Sequence, residues 1–101
     1  MRRVVVTGIG IVSSIGSNAA EVEASLREGR SGVRHAPDYA EHGFRCQVHG
    51  QPTVDLDALI DKRQRRFMGD GAAYNYVAME QAIADSGLEP DEVSHERTGL
   101  I

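Results

Sequence analysis

The apolar residues of this chain fall into blocks with different periods. Arg3 to Val12 reads "RVVVTGIGIV" and is almost continuous in valine and isoleucine. Such a run predicts a strand buried on both faces, as in a sheet covered by helices. Ser13 to Ser17 predicts a turn. Asn18 followed by Glu21 has capping-box spacing and so starts a helix, with Ala19, Val22 and Leu26 as its apolar stripe. Gly29 suits the left-handed position after that helix, and Arg27 and Arg30 lie near the negative end of its dipole.

The middle of the chain is less regular. Ser31 to Gly50 is polar and holds Pro37 and three of the four histidines. It predicts a long excursion with a short strand from Arg45 to Val48. Val54 to Ile60 predicts a short apolar turn around Leu56, Leu59 and Ile60. A long helix then starts at an Asp61 N-cap. Met68, Ala72, Tyr76, Met79 and Ile83 recur at helical spacing and form one face. Gly87 ends it, Leu88 is placed for the accompanying apolar contact, and Pro90 blocks continuation. Gly69 and Gly71 each cost about 1 kcal/mol against alanine in a helix, which predicts another backbone packed closely there. Thr98 to Ile101 begins a further strand, at which the sequence stops. The expectation is a layered α/β fold, incomplete and cut inside a strand. There is no internal repeat and no low-complexity segment.

Composition narrows the function classes. The chain has 101 residues, a net charge of −4, 41% hydrophobic and 26% charged residues. These suit one modest soluble core. The acidity argues against a general nucleic-acid binder. A single cysteine, Cys46, rules out an internal disulfide and fits a reducing compartment. No apolar run reaches the roughly 18 residues that suggest a membrane span. The opening "MRRVVVTGIG" is a poor secretory signal, since Thr7 and Gly8 break its apolar run. The expected location is the cytoplasm.

Three sets of residues invite a chemical reading. The glycines of "VVVTGIGIVSSIG" suggest the start of a dinucleotide-binding unit. That fingerprint needs G-x-G-x-x-G, and Ser13 stands where the third glycine belongs. Gly16 lies too far on, and the acidic residue near the required spacing, Glu28, falls in a predicted helix. Gly8 and Gly10 are better explained by neighbouring elements approaching a crowded strand. Cys46 with His42 and His49 loosely suggests a thiol or metal site. A structural zinc site normally takes four ligands with paired spacings, so no metal site is expected. The third set is the basic run Lys62, Arg63, Arg65 and Arg66. It lies in the first turns of a predicted helix, where the macrodipole disfavours cations by about 0.3–1 kcal/mol. Lys62, Arg63 and Arg66 share one face by their three- and four-residue spacing. A cationic face on an acidic protein predicts docking of an anion or an acidic partner.

Four stretches in order, "VVVTGIGIVSSIG", "EVEASLREGRSGV", "LIDKRQRRFM" and "AMEQAIADSGL", resemble the N-terminal quarter of the β-ketoacyl-acyl carrier protein synthases. "IVSSIG" and "SLREGRSG" look more like type I than type II members. The resemblance is in register from Met1 and covers nearly the whole chain. It implies a thiolase-like five-layered fold, a homodimer, and decarboxylative Claisen condensation in fatty acid elongation, with no nucleotide or metal cofactor. Residues 1–101 would then be the N-terminal part of a ketosynthase domain. The family's nucleophilic cysteine and two histidines lie beyond this stretch. None maps onto Cys46, His35, His42, His49 or His95, so the resemblance implies no catalytic residue within 1–101. Lys62, Arg63 and Arg66 match basic positions that in the family contact acyl carrier protein. Arginine is usual at the first, and lysine there keeps the charge without the bidentate geometry. Arg34 to Glu41 resembles the family least. A nicotinamide-dependent reductase and a type II or polyketide-type relative stand as alternatives.

Overall fold

A computed structural model describes all residues 1–101. The order is α1 (Ala19–Glu28), β1 (Val33–His35), α2 (Pro37–Glu41), β2 (Val48–Gly50), α3 (Leu56–Leu59), α4 (Lys62–Arg65), α5 (Asp70–Ser86) and α6 (Pro90–Val93).

The first helix forms where local signals place it. The Asn18 side chain accepts from the Glu21 N–H at 2.9 Å, and the Glu21 carboxylate reaches back to the Ser17 N–H at 2.7 Å. One N–H that the helix leaves unpaired is thereby satisfied, and the residue before the cap is tied to the first turn. Gly29 takes the left-handed conformation with φ 66°. Its N–H bonds to Leu26 O at 3.3 Å and the Arg30 N–H to Ser25 O at 2.9 Å, a Schellman ending. The apolar stripe expected for α1 does not carry its packing. Leu26 and Ala19 are exposed, and the buried residue is Ser25, whose hydroxyl donates to Ile15 O at 2.6 Å.

The polar middle is more structured than its composition implies. β1 and β2 pair antiparallel with Arg34 opposite His49, and α2 fills the connection. The second strand lies at Val48–Gly50 rather than at Arg45 to Val48, so Cys46 precedes it. Its partner β1 fixes the register, and Ala36 N–H extends the pairing to Gln47 O at 2.8 Å. Tyr39 on α2 packs edge-on against Phe44 and His49, with ring centroids 5.5 and 5.6 Å apart.

The predicted long helix is two helices. Asp61 caps α4 by accepting from the Arg63 N–H at 2.8 Å, but α4 ends after one turn. α5 starts afresh at Gly69, whose extended backbone (ψ 165°) serves as its N-cap. Nothing lies near the missing Cβ of Gly69 or Gly71. Their role is to break and restart the helix, and no backbone packs against them. The core is Leu56, Ile60, Ala73 and Val77, flanked by Val12, Val54 and Met68. Ala73 and Val77 lie beside the expected face rather than on it. That face, with Ala72 and Met79 exposed, lines an open apolar trough with Leu100.

The two terminal strands do not form as strands. Neither segment has a neighbour to pair with, and a strand's N–H and C=O groups need one. Val4 and Val6 are 93% and 84% exposed, and residues 98–101 are exposed as well. Instead, Gly8 to Ile11 lie along α5. The Ile9 N–H donates to Asp85 Oδ2 at 2.9 Å and the Ile11 N–H to Gln81 Oε1 at 3.1 Å. Gln81 Nε2 in turn donates to Ser17 O at 2.7 Å.

Candidate docking site

The glycines at the start are in contact with protein backbone. A Cβ added to Gly8 would collide with Ala82 O, and one added to Gly10 with Ala78 O. Both glycines exist to let this segment touch α5. The space a phosphate would need is filled by a helix. The turn that follows is closed by Ser13 and Gly16, whose backbones exchange hydrogen bonds of 2.9 and 3.4 Å.

The cysteine and histidines do not converge. Cys46 is exposed, with its Sγ 3.5 Å from Val48 O. His42 Nδ1 donates to Asp38 O at 2.7 Å, and His49 packs on Tyr39. No three His, Cys, Asp or Glu side chains are grouped as metal ligands.

The basic run divides by role. Arg65 is the half-buried member. Its Nη2 donates to Asp70 Oδ1 at 2.7 Å, its Nη1 to Met68 O at 2.6 Å, and its Nε lies 3.4 Å from Asp57 Oδ1. The Nε makes no hydrogen bond, so its tie to Asp57 is Coulombic only. Arg65 therefore staples α3, α4 and the start of α5 together. Tyr76 adds a brace, its hydroxyl donating to Gln64 Oε1 at 3.2 Å. Lys62, Arg63 and Arg66 are exposed and none pairs with an acidic group within 4.0 Å. Lys62 and Arg63 lie on α4, and Arg66 is its C-cap. Phe67 follows, 80% exposed, with the Arg66 guanidinium 4.9 Å from its ring centroid.

The cations sit on a one-turn helix and its cap, not at the start of a long helix. The macrodipole penalty that marked them as unusual therefore does not apply, because so short a helix has little dipole. What stands is the segregation: one cation of the run is neutralised by structure and three are left free. Sequence spacing singled out those same three. It missed the structural work of Arg65, for which Asp70 five residues on was the available signal. It also passed over Phe67, which lies off the apolar stripe.

The sequence matches the family described as "Beta-ketoacyl synthase, N-terminal domain" over residues 1–101. The chain belongs to that family, whose fold is thiolase-like α/β. It is 50% identical over its whole length to the 3-oxoacyl-[acyl-carrier-protein] synthase 1 of Haemophilus influenzae, of which it covers 25%. Identity is 33% over 98% of the chain to a 3-oxoacyl-[acyl-carrier-protein] synthase 2 of Vibrio harveyi, of which it covers 24%. The crystal structure of a β-ketoacyl synthase from Burkholderia phymatum STM815 superposes with a TM-score of 0.71 at 36% identity, over 91% of this chain and 23% of that one. The chain thus spans about a quarter of the length of these relatives. The reductase reading has no support in either the glycine geometry or the family.

Proposed function

We propose that a protein carrying this chain is a β-ketoacyl-acyl carrier protein synthase of type I, and that residues 1–101 contribute part of its carrier-docking surface. The reading rests chiefly on the 50% identity to a synthase 1 across all 101 residues. The three exposed cations without acidic partners support the docking role. In this reading a cysteine outside residues 1–101 takes the acyl group from the carrier. Its sulfur forms a new thioester and the carrier thiol leaves. Two histidines, also outside, assist loss of carbon dioxide from malonyl-carrier. The electron pair released forms the enolate, which attacks the acyl thioester and expels the cysteine thiolate. The 3-oxoacyl product is longer by a two-carbon unit. Decarboxylation supplies the carbanion, so the chemistry calls for neither a redox cofactor nor a metal. The expected setting is a cytoplasmic homodimer.

The test uses the full-length protein with acyl- and malonyl-carrier substrates, with the 3-oxoacyl product as readout. Arg63→Glu with Arg66→Glu is expected to raise KM for carrier substrates about tenfold, and the effect should shrink with salt. Turnover of small thioester mimics should stay within about twofold, because they lack the acidic surface. Equal losses with both substrate types would remove the docking role. Absence of 3-oxoacyl product would remove the enzymatic reading.

A further inference from the structure

We propose that Arg65 is a positioning residue: with Asp57 and Asp70 it forms a clamp that holds the break between α4 and α5 and so sets the backbone that carries the other cations of the run. The inference rests on the docking reading above. It adds that one arginine of the run acts through the fold and not on the carrier.

α4 has no apolar side chain with which to anchor itself. Its residues are Lys62, Arg63, Gln64 and Arg65. The elements on either side are fixed differently, since Leu56 of α3 and the following Ile60 pack with Ala73 and Val77 of α5. A single turn of helix is not stable by its own hydrogen bonds, so polar ties must set where α4 lies. Arg65 makes three of them. Its Nη1 donates to Met68 O at 2.6 Å, its Nη2 donates to Asp70 Oδ1 at 2.7 Å, and its Nε lies 3.4 Å from Asp57 Oδ1.

Two of these ties belong to the broken helix alone. In a continuous helix Met68 O would accept from the Ala72 N–H, four residues on. Here it accepts from Arg65 Nη1, so the clamp satisfies a carbonyl that the break leaves open. Arg65 and Asp70 are five apart, and residues with that spacing lie on different faces of a continuous helix. Their 2.7 Å bond therefore forms only once the chain has turned. The apolar period through Met68 and Ala72 favours one long helix, and the clamp opposes it.

A docking cation and a positioning cation respond oppositely to loss of a neighbouring acid. Removing Asp70 makes this face one unit more positive, which tightens binding of an acidic carrier if charge alone matters. It also opens the clamp, and a loosened turn must be ordered again on binding, which weakens it.

The experiment measures KM and kcat of the full-length protein with acyl-carrier substrates and with small thioester mimics, together with amide hydrogen exchange over residues 61–70. Arg65→Gln and Asp70→Ala should each raise KM for carrier substrates about threefold, and the double variant should be no worse than Arg65→Gln, because both remove one interaction. Arg65→Lys keeps the charge without the fork of donors, so KM should stay raised by about twofold or more. Turnover of small thioesters should stay within about twofold throughout, and exchange at Phe67 and Met68 should quicken about tenfold in both single variants. If Asp70→Ala lowers KM, or Arg65→Lys restores it, Arg65 acts as a docking charge and the proposal is overturned. If both variants leave KM or exchange unchanged while Arg63→Glu with Arg66→Glu raises KM, the turn needs no clamp: the proposal is overturned and the docking reading stands. If that charge-reversed pair leaves KM unchanged, the docking reading fails and takes this proposal with it. Equal losses with small thioesters would make Arg65 a general stabiliser and overturn the proposal as well.

Discussion

At the scale of single residues, the glycines separate into kinds that composition does not distinguish. Gly8 and Gly10 sit against the backbone of α5, and any side chain there would displace the segment from the helix. Gly10→Ala in the full-length protein is expected to lower stability by about 1–3 kcal/mol, the usual cost of overpacking. Urea denaturation would measure it, and an unchanged midpoint would mean that segment and helix are not in contact in the whole protein. Gly29 and Gly87 are helix ends with positive φ. Both were legible because the signal is local: a stripe ends and a glycine follows. The Asn18 cap was legible for the same reason. The role of Gly8 and Gly10 in close packing could be inferred, but their partner, Ala78 and Ala82 of α5, lies some seventy residues away in sequence.

At the scale of elements, the junction between α4 and α5 is the place where pattern and structure part. A helical period runs through Met68 and Ala72 without interruption, yet the backbone turns at Arg66 to Gly69 and starts again. Arg65, bound to Met68 O and Asp70, stabilises that turn in a way the apolar period cannot express. Gly71 lies in the first turn of α5 with open space around its missing Cβ. Gly71→Ala should therefore stabilise by about 0.4–1 kcal/mol, through the unfolded chain and helix propensity. A rise in Tm of the full-length protein would show this, whereas a fall would mean that another part of the enzyme packs onto the position. The division of the basic run arises at the same junction. Lys62, Arg63 and Arg66 could be grouped by spacing alone. That Arg65 is withdrawn into ion pairs depends on where α3 brings Asp57.

At the scale of the whole chain, the 101 residues are an open assembly. The radius of gyration is 17.0 Å, against about 13 Å for a compact domain of this length. The accessible surface is 8356 Å², roughly half as much again as a compact monomer of the same mass exposes. Only six residues are buried, too few to offset the entropy of ordering the rest. The isolated chain is expected to lack a cooperative thermal transition and to bind a hydrophobic dye. A sharp two-state calorimetric peak would contradict this. The sequence by itself determined the Asn18 and Asp61 caps, the stops at Gly29 and Gly87, and the family, because each rests on neighbours a few residues apart or on an ordered set of motifs. Tertiary structure alone decided that Val48 rather than Arg45 begins the second strand, that Ala73 and Val77 rather than Ala72 and Met79 are buried, and that Gly8 to Ile11 lie along α5 without strand pairing. These outcomes depend on which distant surfaces are present to cover a face or accept a hydrogen bond. A periodic pattern states that a face is apolar, but only a packed neighbour determines whether that face is buried.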